Sequence, residues 1–556
     1  MKRENMTPWQ RFMGLIHLDR RDVRHIIFYA IFAGLVALTV PLGIQAIINL
    51  IQGAQMSSSW VVLVVLVTLA VAFQGLLQWM QVRILEDVQQ KIFVRSSFEF
   101  AYRFPKIQMN ALRQYYPPEL ANRFFDTLTV QKGLSKVLLD LPSAILQIVF
   151  GLFLLSLYHP VFILYGAFLL LLIYWAFHWT GQRGLETSLE ESKAKYKVAH
   201  WLQEIARSLV SFKLSGRTGL AMERNDRLTG DYLAAREKHF SILKLQYFSL
   251  IGFKVLITAG LLIIGGLLVL NQQMNIGQFV AAEIIILLVI ASLEKLIGGL
   301  ETFYDVLTSL EKIGQVVDKE LELQDGTDPM QLNDELFIEA SKMGYTNPEG
   351  RELIHDIDLT IEPGARIMLK GPSGSGKTVL LKLLAGLMPH TEGELFVNQR
   401  STKGISPNAY RSVVGKVLPE QTPFEGTILE NITLNDPKIT PARVDQVLDA
   451  VGLYDFVKKQ PKGLDTVLYP EGQQMARTIA KRIVLARAIV NEPKLLLLKD
   501  PLEYFEADEA EKIISYLCDP SQPWSLMVSS RDPKWEAHSK RILQLNDKTI
   551  KDVTNA

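Results

Sequence analysis

Residues 371–378 read GPSGSGKT; they follow the short apolar run 366–370 (RIMLK) and precede 379–386 (VLLKLLAG), whose apolar spacing is helical. A glycine-rich loop between a strand and a helix turns successive backbone N–H groups inward at a helix N-terminus, where they meet phosphate oxygens. Gly371, Ser373, Gly374, Ser375 and Gly376 form that cradle, Lys377 adds charge for the outer phosphates, and Thr378 offers a hydroxyl to Mg²⁺. The stretch predicts an α/β domain that holds a nucleoside triphosphate.

Upstream of the loop the composition changes. The chain is 48% hydrophobic over 556 residues, too long for one domain, and the apolar excess lies in the first 310. Six runs are long enough to cross a bilayer at about 1.5 Å per residue: about 25–51, 60–82, 137–157, 161–181, 247–270 and 279–300. The first is too long for a cleaved signal and no small-residue cleavage site follows it. The connections 52–59, 158–160 and 271–278 contain no Lys or Arg, whereas the N-terminus and residues 83–136 and 183–244 are rich in both. By the positive-inside rule both termini and both long loops are expected in the cytoplasm of a multi-pass protein of the cell (inner) membrane. Residues 86–111 and 184–214 keep apolar residues at helical spacing and are expected to continue the spans as stalks, turning near 115–125 and 215–219.

The expected domains are a six-span unit over 1–318, a charged linker over 319–334, and an α/β unit over 335–556, where short β-like runs alternate with helices. A net charge of +1 offers no nucleic-acid surface, and the lone Cys518 excludes an internal disulfide.

Six spans with long cytoplasmic hairpins followed by this loop domain resemble a half-size ABC exporter from about residue 8 onward. Residues 200–216 (HWLQEIARSLVSFKLSG) and 267–279 (LLVLNQQMNIGQF) are most similar to type I secretion and bacteriocin exporters, although no N-terminal peptidase segment precedes the spans. The resemblance implies a membrane α-helical exporter domain joined to an ABC nucleotide-binding domain, ATP as the ligand, the lipid bilayer as surroundings, and a dimer. The partner is either an identical chain or a related half transporter. The resemblance also places Tyr345 at the position that stacks on adenine, plain core packing being the alternative for a tyrosine there.

The runs 424–431 (FEGTILEN) and 482–488 (RIVLARA) match segments flanking the family's catalytic parts and set the register between them. The signature Leu-Ser-Gly-Gly-Gln then falls on Met475, Ala476, Arg477, Thr478 and Ile479, so side chains stand where backbone must approach the partner chain's γ-phosphate. Lys499 replaces the carboxylate that supports Mg²⁺, leaving the metal in question, and Asp500 replaces the longer general base. Ser530 stands at the switch histidine, Glu506 at the D-loop aspartate, and Pro419 at the loop glutamine, with Gln421 as a nearby substitute. Phosphoryl transfer depends on positioned, charge-neutralising groups, so ATP binding with weak or absent hydrolysis is expected. A slow exporter with rearranged residues, or a non-transporting ATP-binding scaffold or regulator, are the other readings.

Within the spans Glu283 stands out, about 8 Å along its helix from Gln278. An acid there is expected to be neutral, paired or facing a cavity, as a structural hydrogen bond or as a substrate or proton contact. Lys254 and Glu294 are close enough to the cytoplasmic boundary to snorkel, and Gln74 and Gln78 are expected to bond neighbouring helices.

Overall fold

The computed structural model describes residues 6–53, 58–113, 115–216, 218–323, 325–330, 335–472 and 474–554. It divides into two units, one of residues 1–105 and 114–319, the other of 106–113 and 320–556. The expected connection 52–59 and the expected linker 319–334 lie partly outside the described residues.

Among the described residues six stretches are long and apolar enough to cross a membrane, all in the first unit but for Lys106: Arg20–Gln52, Ser58–Lys106, Pro117–Ser156, Val161–Arg207, Leu220–Leu270 and Ile276–Val317. Helices suit a bilayer because every backbone polar group can bond within its own segment. The first stretch breaks at Leu38, between helices Arg20–Ala37 and Thr39–Gln52, three residues before Pro41. That proline lacks an N–H, and its ring meets the carbonyl four residues earlier, at Ala37. Helix Asp126–Ser156 continues through Pro142, and the Ser143 hydroxyl donates to the neighbouring Leu139 carbonyl at 2.7 Å.

Helix Ile276–Val317 packs along Asp126–Ser156 through small residues. A Cβ on Gly133 would stand 2.4 Å from Val306 Cγ2, so the two backbones approach where only glycine fits. Ala144, Leu155, Phe162, Ile257 and Ile285 form one apolar cluster and Ile26, Val88, Val130 and Val306 another.

The stalks deviate from the expected helices at their ends. Helix Ser58–Arg103 stops short of residue 111, giving way to a tight turn at Phe104–Lys106 where Pro105 cannot donate. Residues 106–113 group with the second unit, where Gln108 N–H donates to the Glu320 carbonyl at 3.0 Å and Ile107 bridges Leu321. Gln74 and Gln78 make no hydrogen bond among the described residues; the buried amide on that helix is Gln81, which donates to the Ile26 carbonyl at 3.3 Å. Lys254 pairs with Glu294.

Among the described residues the second unit carries two larger sheets and a two-stranded ladder that pairs Gly426–Thr427 with Val467–Leu468. The antiparallel sheet runs Glu352–Ile361, Ile338–Thr346, Glu392–Val397, Arg400–Ser401. The other runs Thr549–Asp552, Arg541–Asn546, Arg366–Lys370, Ser525–Ser529, Leu495–Lys499, Val414–Val417, parallel except at the Thr549–Asp552 edge. Its central strands are continuous apolar runs because both faces are covered. Arg366 is buried in this sheet with its guanidinium satisfied by carbonyls, including those of Cys518 at 3.1 Å and Asp519 at 2.7 Å.

The close approach at Gly133 is testable against Gly181, whose added Cβ meets nothing within 4 Å. Gly133→Ala forces the stiff Val306 to shift and destabilises the detergent-purified chain by about 1–3 kcal/mol of overpacking, read as a lower melting temperature. Gly181→Ala leaves it unchanged or raises stability by about 0.4–1 kcal/mol. Equal melting temperatures for the two variants would refute the contact.

Candidate nucleotide-binding site

Strand Arg366–Lys370 delivers the loop, and helix Lys377–Leu384 receives it. Gly376 caps that helix at φ 105°, and a Cβ there would stand 2.5 Å from Ile354 Cγ2; a Cβ on Gly371 would stand 2.2 Å from the Leu545 carbonyl oxygen. Glycine is required at both positions, by conformation and by space. The loop borders a cavity of about 810 Å³ whose wall includes Gly371, Ser373, Gly374, Gly376, Lys377 and Thr378. That volume suits a mononucleotide-sized ligand.

Two neighbouring strands end at the same cavity. Ser529 pairs with Lys499 in register, so Lys499, Asp500, Ser529 and Ser530 all reach the wall. The Lys377 ammonium donates to the carbonyls of Gly371 at 2.7 Å and Pro372 at 2.5 Å, and to Ser375 Oγ at 3.4 Å. Burial, and then the cations Lys499 and Arg531, push the Lys377 pKa below its ordinary value, against the pull of Asp500. A multiply charged anion in the cavity relieves that repulsion.

Lys499 forms an ion pair with Asp500. Asp500 has φ 43° and is followed by Pro501, a conformation that costs a non-glycine residue roughly 1–3 kcal/mol. Its backbone N–H donates to the Ser529 carbonyl at 2.8 Å, which helps hold it there. The carboxylate at the strand end is therefore directed to the lysine beside it. Ser530 Oγ accepts from the Asp532 N–H at 3.2 Å.

Several expected site residues are elsewhere. Tyr345 is 1% exposed, packs in the core around the antiparallel sheet, and donates its hydroxyl to Asn110 Oδ1 at 2.9 Å, so it presents no face for adenine. Gln421 is absent from the cavity wall: its side-chain oxygen accepts from the Leu418 N–H at 2.8 Å and closes a turn. Ser375 faces Lys377 and does not line the cavity. Met475, Ala476, Arg477, Thr478 and Ile479, expected to face the phosphate of a partner chain, do not line this chain's own cavity. Ala476 caps helix Arg477–Ile489 without a side-chain bond, while Met475 and Ile479 pack on the core and Arg477 lies 5.8 Å from the Tyr504 ring.

The structure adds wall residues that spacing did not single out. Arg531, Asp532, Glu503 and Glu536 reach the cavity, with Glu536 paired to Lys370 at 2.5 Å. Ser529 is 1% exposed, and its Oγ has no hydrogen-bond partner among the described residues. In sequence its one signal is adjacency to Ser530.

Glu283 is exposed on helix Ile276–Val317, in one stripe with Leu287 and Ala291, and makes no hydrogen bond or ion pair among the described residues. Pairing within the chain, one of the expectations for this acid, is therefore not observed. The helix turns its small and apolar face, including Ala281, Ala282 and Ile285, inward instead.

Two substitutions separate the phosphate contacts from the aromatic residue. Lys377→Ala abolishes ATP binding, read as loss of the ATP-dependent thermal shift. Tyr345→Phe loses about 0.5–1.5 kcal/mol of stability with the Asn110 bond and leaves ATP affinity unchanged. A large affinity loss in Tyr345→Phe would show that the hydroxyl reaches the nucleotide, and one in Tyr345→Leu, beyond its loss of stability, that the ring does.

Residues 23–293 match the family description "ABC transporter transmembrane region", and residues 354–503 match "ABC transporter". Transport ATP-binding protein AarD of Providencia stuartii is 30% identical over 220 residues, covering 37% of this chain and 36% of that protein. The ATP-dependent lipid A-core flippase of Burkholderia orbicola is 31% identical over 246 residues, covering 44% and 41%. The alpha-hemolysin translocation ATP-binding protein HlyB of Escherichia coli O157:H7 is 26% identical over 258 residues, covering 46% and 36%. The matched segment thus spans well under two thirds of each of these relatives. A solved bacterial Atm1-family ABC exporter with ATP bound shares the fold at a TM-score of 0.85 and 17% identity, over 96% of this chain and 94% of that one. With one family description covering the spans and the other the phosphate-binding loop and its neighbours, the chain belongs to the ABC transporters that fuse a transmembrane region to an ATP-binding region.

Proposed function

We propose that this chain is one half of a dimeric ABC exporter of the cell membrane that binds ATP at residues 371–378 and hydrolyses it weakly or not at all. The observation that carries the reading is the Lys499–Asp500 ion pair at the cavity wall. A general base must accept hydrogen bonding from the attacking water. Asp500 has its carboxylate engaged by the adjacent ammonium, and Ser530 has no ring nitrogen to complete the charge network. ATP then acts as a ligand that sets conformation, with Lys377 and the loop amides holding its phosphates and Lys499 and Arg531 adding charge.

The family implies Mg²⁺, and the donors present do not fit it. Thr378 supplies one hydroxyl, but Lys499 stands where a carboxylate is needed and Arg531 adds a second cation. No step is therefore assigned to the ion.

The names of the relatives include a lipid A-core flippase and a hemolysin translocator. They support a peptide or amphipathic molecule as the exported class. Cytoplasmic termini follow from the Lys and Arg distribution. The exposed stripe holding Glu283 faces either a second chain or lipid, and a dimer gives the acid a setting that a lone chain does not.

Steady-state ATPase activity tests the proposal. The purified chain stays at background alone, and changing Lys499→Asp, Asp500→Glu and Ser530→His together with the run 475–479 from MARTI to LSGGQ raises turnover by at least about tenfold, whereas single changes do little because such residues act as a unit. Turnover of about 1 s⁻¹ or more by the native chain, an ordinary enzymatic rate, would refute weak hydrolysis. ATP-dependent vesicle uptake by a dimer supports export. Its absence with every related half tested, despite ATP binding, favours a scaffold or regulator.

ATP affinity in the native chain is the same in EDTA as in excess Mg²⁺. An affinity that collapses on chelation would show that the metal is held after all.

A further inference from the structure

A second cationic cleft lies in the first unit, about 490 Å³ in volume, between the turn region 117–125 and helices Val161–Arg207, Leu220–Leu270 and Ile276–Val317. Five lysines and arginines line it against one carboxylate, Glu119. Two of those cations are buried: Arg123 is 6% exposed and Lys312 is 4% exposed. The Arg123 guanidinium lies 3.5 Å over the Tyr196 ring and donates one bond to Glu119, at 3.2 Å, while its Nε and Nη1 have no hydrogen-bond partner among the described residues. The Lys312 ammonium sits 5.2 Å from the same ring and makes no hydrogen bond or ion pair among the described residues.

The nearby carboxylates are already engaged. Asp126 accepts from the Tyr196 hydroxyl, Glu119 is shared between Arg123 and His200, the latter at 3.1 Å, and Glu311 pairs with Arg11 at 3.4 Å. Lys193 and Lys197 stand four residues apart on one helix face, where like charges repel. Burying cations without counter-charges is costly, and an anion that accepts several hydrogen bonds at once offsets that cost.

We propose that this cleft is a binding site for a small phosphate-type oxyanion, inorganic phosphate or a phosphate monoester, taken from cytosolic solution. Arg123 and Lys312 supply its buried contacts, and Lys193, Lys197 and Arg224 its rim. Tyr196 lies 15 residues beyond Gly181, the end of the apolar run, which is about 22 Å along the helix. A phospholipid headgroup stays within several ångströms of the hydrocarbon boundary, so the soluble source is favoured. The site is independent of the reading given for the nucleotide cavity.

Calorimetric titration of inorganic phosphate into the full chain tests this, in phosphatidylcholine nanodiscs and in a Lys377→Ala background that removes the loop's own phosphate site. Phosphate binds, and Lys312→Met weakens it at least about tenfold, as expected for loss of a charge-assisted contact. Lys193→Gln with Lys197→Gln, at exposed positions that the fold does not need, weakens it as well and guards against misfolding of Lys312→Met. No phosphate binding, or binding unchanged in both variants, overturns the proposal. So does Lys312-dependent retention of phosphatidylglycerol in mixed discs with no phosphate bound in phosphatidylcholine discs, which would assign the cleft to lipid.

Discussion

Strand pairing in the parallel sheet is the constraint on which the nucleotide site depends. Ser529 opposite Lys499, and Val528 next to both Leu498 and Met368, hold three strand ends level along one edge. The loop after Lys370, the turn after Lys499 and the segment after Ser529 consequently open into one cavity. A one-residue slip of any of these strands would exchange its inward and outward side chains and carry Lys499 or Ser530 away from the loop.

The charge balance at that edge decides what the site can do. Lys377, Lys499 and Arg531 converge, and the one carboxylate at the end of strand Leu495–Lys499 is paired to its neighbour. Such an excess of cations favours a polyanion in the cavity, and the Lys499–Asp500 pair is the feature on which the proposal of weak hydrolysis rests. The same arithmetic of excess cations recurs in the first unit around Arg123 and Lys312, with different geometry: there an aromatic face, Tyr196, partly replaces the missing anions.

In the membrane unit the limiting factor is backbone satisfaction and close helix contact. Proline breaks the first stretch at Leu38 but is absorbed within Asp126–Ser156, where a serine hydroxyl bonds a carbonyl beside the kink position. Small residues set the approach of Asp126–Ser156 to Ile276–Val317, which leaves Glu283 and Leu287 on the outward stripe. Burial of the apolar face, and not the acid, orients that helix.

The sequence by itself determined the six apolar spans, the α/β unit and the phosphate-binding loop, because hydrophobic length, period and glycine placement are local properties that one stretch of chain carries whole. It also brought Lys499, Asp500 and Ser530 forward as one group, since flanking runs set their register. Only the tertiary structure decided that Tyr345 is sealed in a core against Asn110, that Gln421 closes a turn, and that Gln81, in place of Gln74 or Gln78, bonds across helices. It likewise brought Ser529, Arg531 and Glu536 to the cavity and gathered Arg123, Tyr196 and Lys312 from three separate segments. Which way a side chain faces, and which distant segment shares its space, depends on packing between elements far apart in the chain, and no local pattern encodes that.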